Sequence, residues 1–300
     1  MVTRRRVRLV LMTLALPAAL GIVLAAPPAD AQTPPALDEL LARVGRKIAE
    51  FYERAQHVIC IETSTVQPID RSYSSDGFAR IVESELRVEA AGGDDPGEAT
   101  IVREVLKVNG RTPREKDSKN RDGCTDPNPL STEPLAFLLP AHRHEYQFRS
   151  AGAGKDRNRP VFLIDFASVD RRSRAELIED PGGHNDCFDW TGHVASRGRI
   201  WVNATTFDVV RIERGLPAML DVTVPARIQR RHNLDNVVVI EREDTTIRYR
   251  TVTFSDPDEI LLLPESIETF IVARGGLQST RRTQIYSDYR RFVGAARVVE

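Results

Sequence analysis

The sequence predicts a mainly β protein of the α+β kind, in which one long antiparallel sheet follows a single amphipathic helix. Three observations predict this. Only one segment, from Leu37 to about Arg54, repeats apolar residues at helical spacing. Most of the rest alternates or runs apolar over strand-length stretches. Short turns, not helices, separate those stretches, whereas parallel strands would need crossover connections.

The helix comes first. After a Pro-rich joint at 33–36, residues Leu37, Leu40, Leu41, Val44, Ile48, Phe51 and Tyr52 form one apolar stripe. Val58-Ile59-Cys60-Ile61 reads as strand interior, and Val82, Ser84, Leu86 and Val88 alternate with charged neighbours, giving a strand with one wet face. A loop at 90–97 leads to a strand from Thr100 to Val108, closed by the hairpin dipeptide Asn109-Gly110. Residues 111–132 are polar and turn-rich. Leu135-Ala136-Phe137-Leu138-Leu139, stopped by Pro140, is too short for a core and reads as a helical turn or two lying over something. Further strands are expected at 144–149, 160–168, 194–203, 207–214, 221–230, 237–254, 260–274 and 280–293, with Gly, Asn, Asp and Pro at the breaks.

Residues 1–31 read as a cleavable export signal. Arg4, Arg5, Arg6 and Arg8 precede an apolar run from Leu9 to Ala26, followed by Ala29-Asp30-Ala31. The alternative is an uncleaved anchor helix; Pro17 inside the run and the Ala-x-Ala site argue against it. Cleavage after Ala31 leaves Gln32 first, a body of 32–300 without a second membrane-length segment, and a periplasmic or secreted address. It also removes four arginines and one aspartate from totals of 42 basic and 43 acidic residues, leaving 38 and 42 and a formal charge of −4. That near-neutral balance argues against a nucleic-acid binder.

An exported compartment permits disulfides. Of three cysteines, Cys60 sits in a strand and is expected to be a buried free thiol, while Cys124 and Cys187 lie in polar loops that can adjust to bridge geometry. A Cys124–Cys187 bridge is therefore expected.

No arrangement of side chains makes a strong case for catalysis, a metal or a cofactor. In a strand, His142 and His144 would share a face as two zinc ligands can, but no recognisable spacing supplies a third. The cluster around His184, Asp186 and Cys187 reads as a glycine-rich loop with a structural cysteine. Gly152-Ala153-Gly154-Lys155-Asp156 lacks the first glycine and the magnesium-binding hydroxyl of a phosphate loop. The clusters Arg171-Arg172-Ser173-Arg174 and 227–231 read as solvated faces.

Two stretches resemble a known family. In Gly198-Arg199-Ile200-Trp201-Val202, a turn at Asn203-Ala204-Thr205-Thr206, and a return as Val209-Val210-Arg211, the chain is similar to the central hairpin of LolA-like proteins, named for the lipoprotein localisation factor. Leu263-Pro264-Glu265-Ser266-Ile267 and Tyr286-Ser287-Asp288-Tyr289-Arg290-Arg291-Phe292 resemble uncharacterised exported bacterial proteins carrying that hairpin. The resemblance covers about 160–293 and implies, for 32–300, a single curved antiparallel half-barrel whose apolar side is covered, here by the N-terminal helix and the segment 135–139 as a short lid. It also implies a non-catalytic envelope protein that takes a lipid-like ligand or lipidated partner in a hydrophobic hollow, each buried CH₂ contributing about 0.8 kcal/mol. Phe137, Leu138 and Leu139 of the lid, with Phe162 and Trp201 of the central strands, are the expected lining. Two alternatives stand beside this reading: an envelope interaction protein with a filled core, and a metal-dependent hydrolase using the histidines.

Overall fold

The structure, a computed structural model, describes residues 34–54, 58–90, 99–114, 134–179, 188–255 and 257–291. Helix α1 spans Leu37–Arg54, with Asp38 and Glu39 in its first turn, where the helix dipole favours negative charge. Thirteen strands follow: β1 (Val58–Pro68), β2 (Arg80–Ala90), β3 (Ala99–Val108), β4 (Tyr146–Asp156), β5 (Arg159–Ser168), β6 (Arg174–Glu179), β7 (Phe188–His193), β8 (Arg197–Asn203), β9 (Val209–Gly215), β10 (Leu220–Thr223), β11 (Val237–Ser255), β12 (Asp258–Arg274) and β13 (Thr280–Arg291). A short helix α2, Ala226–His232, separates β10 from β11.

They form one open sheet in the order β3-β2-β1-β13-β12-β11-β9-β8-β5-β4. This is the expected mainly β half-barrel: antiparallel along its length, with one face covered by α1 and the lid. The register sets a row of directly opposed side chains on the covered face, running Val108, Val82, Ser64, Gln284, Ile267, Ile247, Ile212, Ile200 and Ile164. All nine are buried. A slip of one residue in any of these strands would turn its members to water, so the five isoleucines lock the central register. Leu40, Leu41, Val44 and Ile48 of α1 pack on this face.

The sheet forks at β11. One edge pairs with β12 throughout; the other is shared, Val237–Ile240 by β10 and Asp244–Arg248 by β9. From β10 hang β6, in parallel, and then β7. This lobe has its own core, including Leu177, Leu220, Val222, Val224 and Ile228.

Several expectations need correction. The strand expected at 221–230 ends at Thr223. Pro225 then opens α2, which closes at Asn233 in the left-handed conformation (φ 54°) that suits a helix C-terminus. Strands β6 and β7 were not foreseen. The strand expected at 144–149 starts at Tyr146 and runs on to Asp156 through the glycine stretch, which therefore forms no phosphate loop; a bulge between Ser150 and Ala153, with Gly152 at φ 89°, takes up the irregularity. His142 and His144 lie in and beside a 3-10 turn, Arg143–Glu145, not on one strand face, and both are exposed. Cys60 is free and buried, whereas the expected Cys124–Cys187 bridge, the cluster at 184–187 and the expected cleavage site lie outside the described residues.

Candidate ligand site beneath the cover

The cover has two parts fastened by one side chain. The segment expected as a lid forms a 3-10 turn, Ala136–Leu138, with Leu135 and Leu138 buried against α1 and the sheet. Arg143, just downstream, reaches back to α1: its Nε donates to the Leu138 carbonyl at 2.8 Å and its Nη2 to the Leu41 carbonyl. The guanidinium lies over Gly45, where a Cβ would stand 2.1 Å from Nη2. A side chain in the middle of α1 would thus exclude the arginine. Burial holds the Arg143 guanidinium below its ordinary value.

Beneath the lid, Phe137 lies 4.8 Å from Phe166, 5.2 Å from Tyr146 and 6.4 Å from Phe148 between ring centroids, the last pair stacked. The Phe166 ring itself covers Gly198 of β8, where a Cβ would fall 2.8 Å from it. The end of the covered face nearest β4 is therefore closed by aromatic rings.

Further along α1 a slot of about 160 Å³ remains between helix and sheet, lined by Ile48, Phe51, Leu135, Val209, Leu261 and Leu262. It adjoins a polar cleft of about 280 Å³; Asp208, Tyr249, Thr251 and Leu262 line both. The cleft carries Arg157, Arg159, Arg248 and Arg250. Arg157 is paired with Glu265 at 2.8 Å, and Arg248 approaches Asp156 at 3.9 Å. The slot, whose rim also carries Lys47, Glu50 and Arg54, thus opens into a cleft whose arginines, at the hairpin β4–β5 and along β11, face Asp156, Asp208 and Glu265.

At the opposite end the covered face turns polar. Glu62, 1% exposed, accepts from Arg103 at 2.6 Å, from Gln284 at 2.7 Å and from the Tyr286 hydroxyl at 3.4 Å. Burial depresses the pKa of nearby Arg282 and, with the Glu62 charge second, raises that of Tyr286. This network satisfies a buried carboxylate rather than forming an acid–base pair. Among the described residues, no group of three or more His, Cys, Asp or Glu side chains could hold a metal ion.

Of the five residues expected to line a hollow, Phe137, Leu138, Leu139 and Phe162 belong to the covered face. Trp201 does not. It stands opposite Leu163 and Arg211, while Phe162 stands opposite Val202, so Trp201 projects from the other face, under the Arg211 guanidinium at 4.4 Å. Trp201 is expected in the lining because its strand is central in the resemblance, which leaves its face open; the pleat turns it to the other face. Arg143 and the slot residues Val209 and Tyr249 escaped the sequence reading. The one local hint of Arg143 was Gly45 within an otherwise regular helical stripe.

The fold is thus a half-barrel whose apolar face is covered by α1 and the turn at Ala136–Leu138. The chain is similar to a domain described as outer membrane lipoprotein-sorting from Vibrio parahaemolyticus, at 10% identity and TM-score 0.34, covering 87% of this chain and 95% of that one. It is similar to a DUF1329 family protein from Desulfovibrio piger, at 9% identity and TM-score 0.41, covering 86% and 94%. It is also similar to a LolA superfamily protein from Nitrosomonas europaea, at 11% identity and TM-score 0.31, covering 84% and 94%. No family model matches the chain, and no curated protein matches it. Among the described residues, no helix is long and apolar enough to cross a membrane.

Proposed function

We propose that this is an exported, non-catalytic binding protein that takes an acyl chain, free or on a lipidated partner, between α1 and the sheet. The observation that carries the reading is the continuity of the slot, with its floor of Ile48, Phe51, Leu135, Val209, Leu261 and Leu262, with the arginine-bearing cleft: a chain in the slot would leave its polar end among Arg157, Arg159 and Arg250. The slot is too small for a long chain as it stands, so uptake requires α1 and the lid to lift from the isoleucine row. Their attachment favours this, because α1 carries no backbone ladder to the sheet and rests on side-chain contacts. Export rests on residues 1–31, and cleavage after Ala31 is tested by N-terminal sequencing of protein recovered from the periplasm or medium. A Cys124–Cys187 bridge remains part of the proposal and is tested by non-reducing peptide mapping.

Binding is tested by saturable uptake of a fluorescent fatty acid. Phe51→Ser and Leu262→Ser should weaken it, whereas Trp201→Ser, on the other face, should not. Absence of saturable uptake by the wild-type protein would sink the carrier reading. The filled aromatic end around Phe137 favours a second reading, an envelope interaction protein with a closed core and no ligand, and that reading would then lead.

A further inference from the structure

The face of the sheet away from α1 holds a groove of about 1100 Å³. Its floor follows one register row across five strands: Arg197 on β8, Gly215 on β9, Asp244 on β11, Phe270 on β12 and Arg281 on β13. Gly215 leaves the row open, with the Asp244 carboxylate lying over it. Asp244 is neutralised by Arg242. Phe270 lies beneath the Arg242 and Arg281 guanidiniums, 5.0 and 5.6 Å from its ring centre, with Tyr73 edge-on at 5.7 Å. Arg197 and Arg281 form no ion pair among the described residues, and neither does Arg171 on the groove wall. Asp165 and Glu213 are already engaged, by Arg149 with Arg199 and by Arg211.

We infer that this groove binds an extended acidic peptide segment of a partner protein, with an apolar side chain next to one end. Four strand spacings separate Arg197 from Arg281, roughly 19 Å. A single phosphate reaches one of them, not both. An extended peptide of about six residues spans the distance, placing acidic side chains at its ends on the two arginines and an apolar side chain, next to the Arg281 end, beside Phe270. The concave shape suits a narrow chain; a flat anionic membrane would touch the rims and leave the floor wet. The site is independent of the slot beneath α1, and neither proposal needs the other.

The probe is a fluorescein-labelled seven-residue peptide with a glutamate at each end and phenylalanine two places from one of them, followed by anisotropy against the full exported chain. Saturable binding is expected. It should weaken about tenfold in Arg197→Glu/Arg281→Glu, weaken further between about 50 and about 200 mM salt, and stay unchanged in Arg46→Glu, exposed on α1 over the opposite face. Arg171→Glu, in a loop, gives a second reading if the double variant fails to fold. Lack of binding by the wild type, or equal binding by both groove variants, overturns the inference. So does binding of phosphatidylglycerol vesicles, with phosphatidylcholine vesicles as control, in the absence of any peptide binding.

Discussion

Replacing Gly45 by alanine tests whether Arg143 fastens the two parts of the cover. In an ordinary helix interior the change stabilises by about 1 kcal/mol, because alanine is the better helix former. Here the new methyl would stand 2.1 Å from Arg143 Nη2 and 3.3 Å from the Leu138 carbonyl. The guanidinium must withdraw, giving up its donations to the Leu138 and Leu41 carbonyls. Each is a charge-assisted bond worth about 1.5–3 kcal/mol at full burial. Arg143 is only half-buried, and water replaces part of the loss, so roughly 2 kcal/mol for the pair is reasonable. The loss exceeds the gain, and Gly45→Ala should destabilise by about 1 kcal/mol, lowering the melting temperature by roughly 2–4 °C. In an Arg143→Ala background nothing remains to displace, and the same substitution should stabilise by about 1 kcal/mol. The sign therefore reverses between backgrounds, with a coupling of roughly 2 kcal/mol in a double-mutant cycle measured by urea unfolding. If Gly45→Ala stabilises both backgrounds equally, Arg143 does not hold the cover and the reasoning fails.

Two further outcomes follow from packing and ionisation. Gly198→Ala would place a Cβ 1.9 Å from the Glu213 carbonyl oxygen and 2.8 Å from the Phe166 ring, so overpacking of about 1–3 kcal/mol is expected in thermal melts, and Phe166→Leu should not rescue it because the carbonyl stays. Burial pushes the Cys60 thiol from 9.0 up to about 12, so above pH 9 the unfolded chain loses a proton that the folded chain keeps; stability should fall as pH rises from about 9 to 12. Cys60→Ala should flatten the first part of that fall. Burial also raises Tyr286, whose ordinary value is 10.0, so the later part should persist.

Much of this architecture was legible because it depends on short periods. The stripe of α1 and the alternation in β2 and β12 are local patterns, and the hairpin at Asn203 is fixed by a side chain whose Oδ1 accepts from the Thr205 and Thr206 amides at 2.8 and 3.0 Å. The misses have physical causes. Helix α2 is seven residues long and follows a run, Leu220–Thr223, that does alternate, so period alone carried the strand reading past Pro225. Trp201 was expected in the hollow because its strand is central in the resemblance, and a single strand with large side chains on both faces gives no sign of which one faces the cover. The union of Arg143 with Gly45 joins positions about a hundred residues apart, and the row from Arg197 to Arg281 assembles five strands; neither leaves a local trace.

The fork at β11 makes part of this molecule separable. Strands β6 and β7, with β10 and α2, leave the main sheet in two excursions and rejoin it through Leu220–Thr223 against Val237–Ile240. That stretch of β11 stays paired with β12 on its other edge at Val239 and Ile240, so the lobe can let go without opening the row of isoleucines. Its small core, which also takes in Val238 and Ile240 of β11, is separate from that beneath α1, so the lobe is expected to melt before the half-barrel. Its amides should exchange with deuterated solvent while those of β5, β8 and β12 stay protected. A variant in which the lobe is replaced by two short turns, with Val238 and Ile240 made polar to suit their new exposure, should keep the covered face and its slot intact, making the lobe an appendage that sequence change could enlarge or trade while the half-barrel persists.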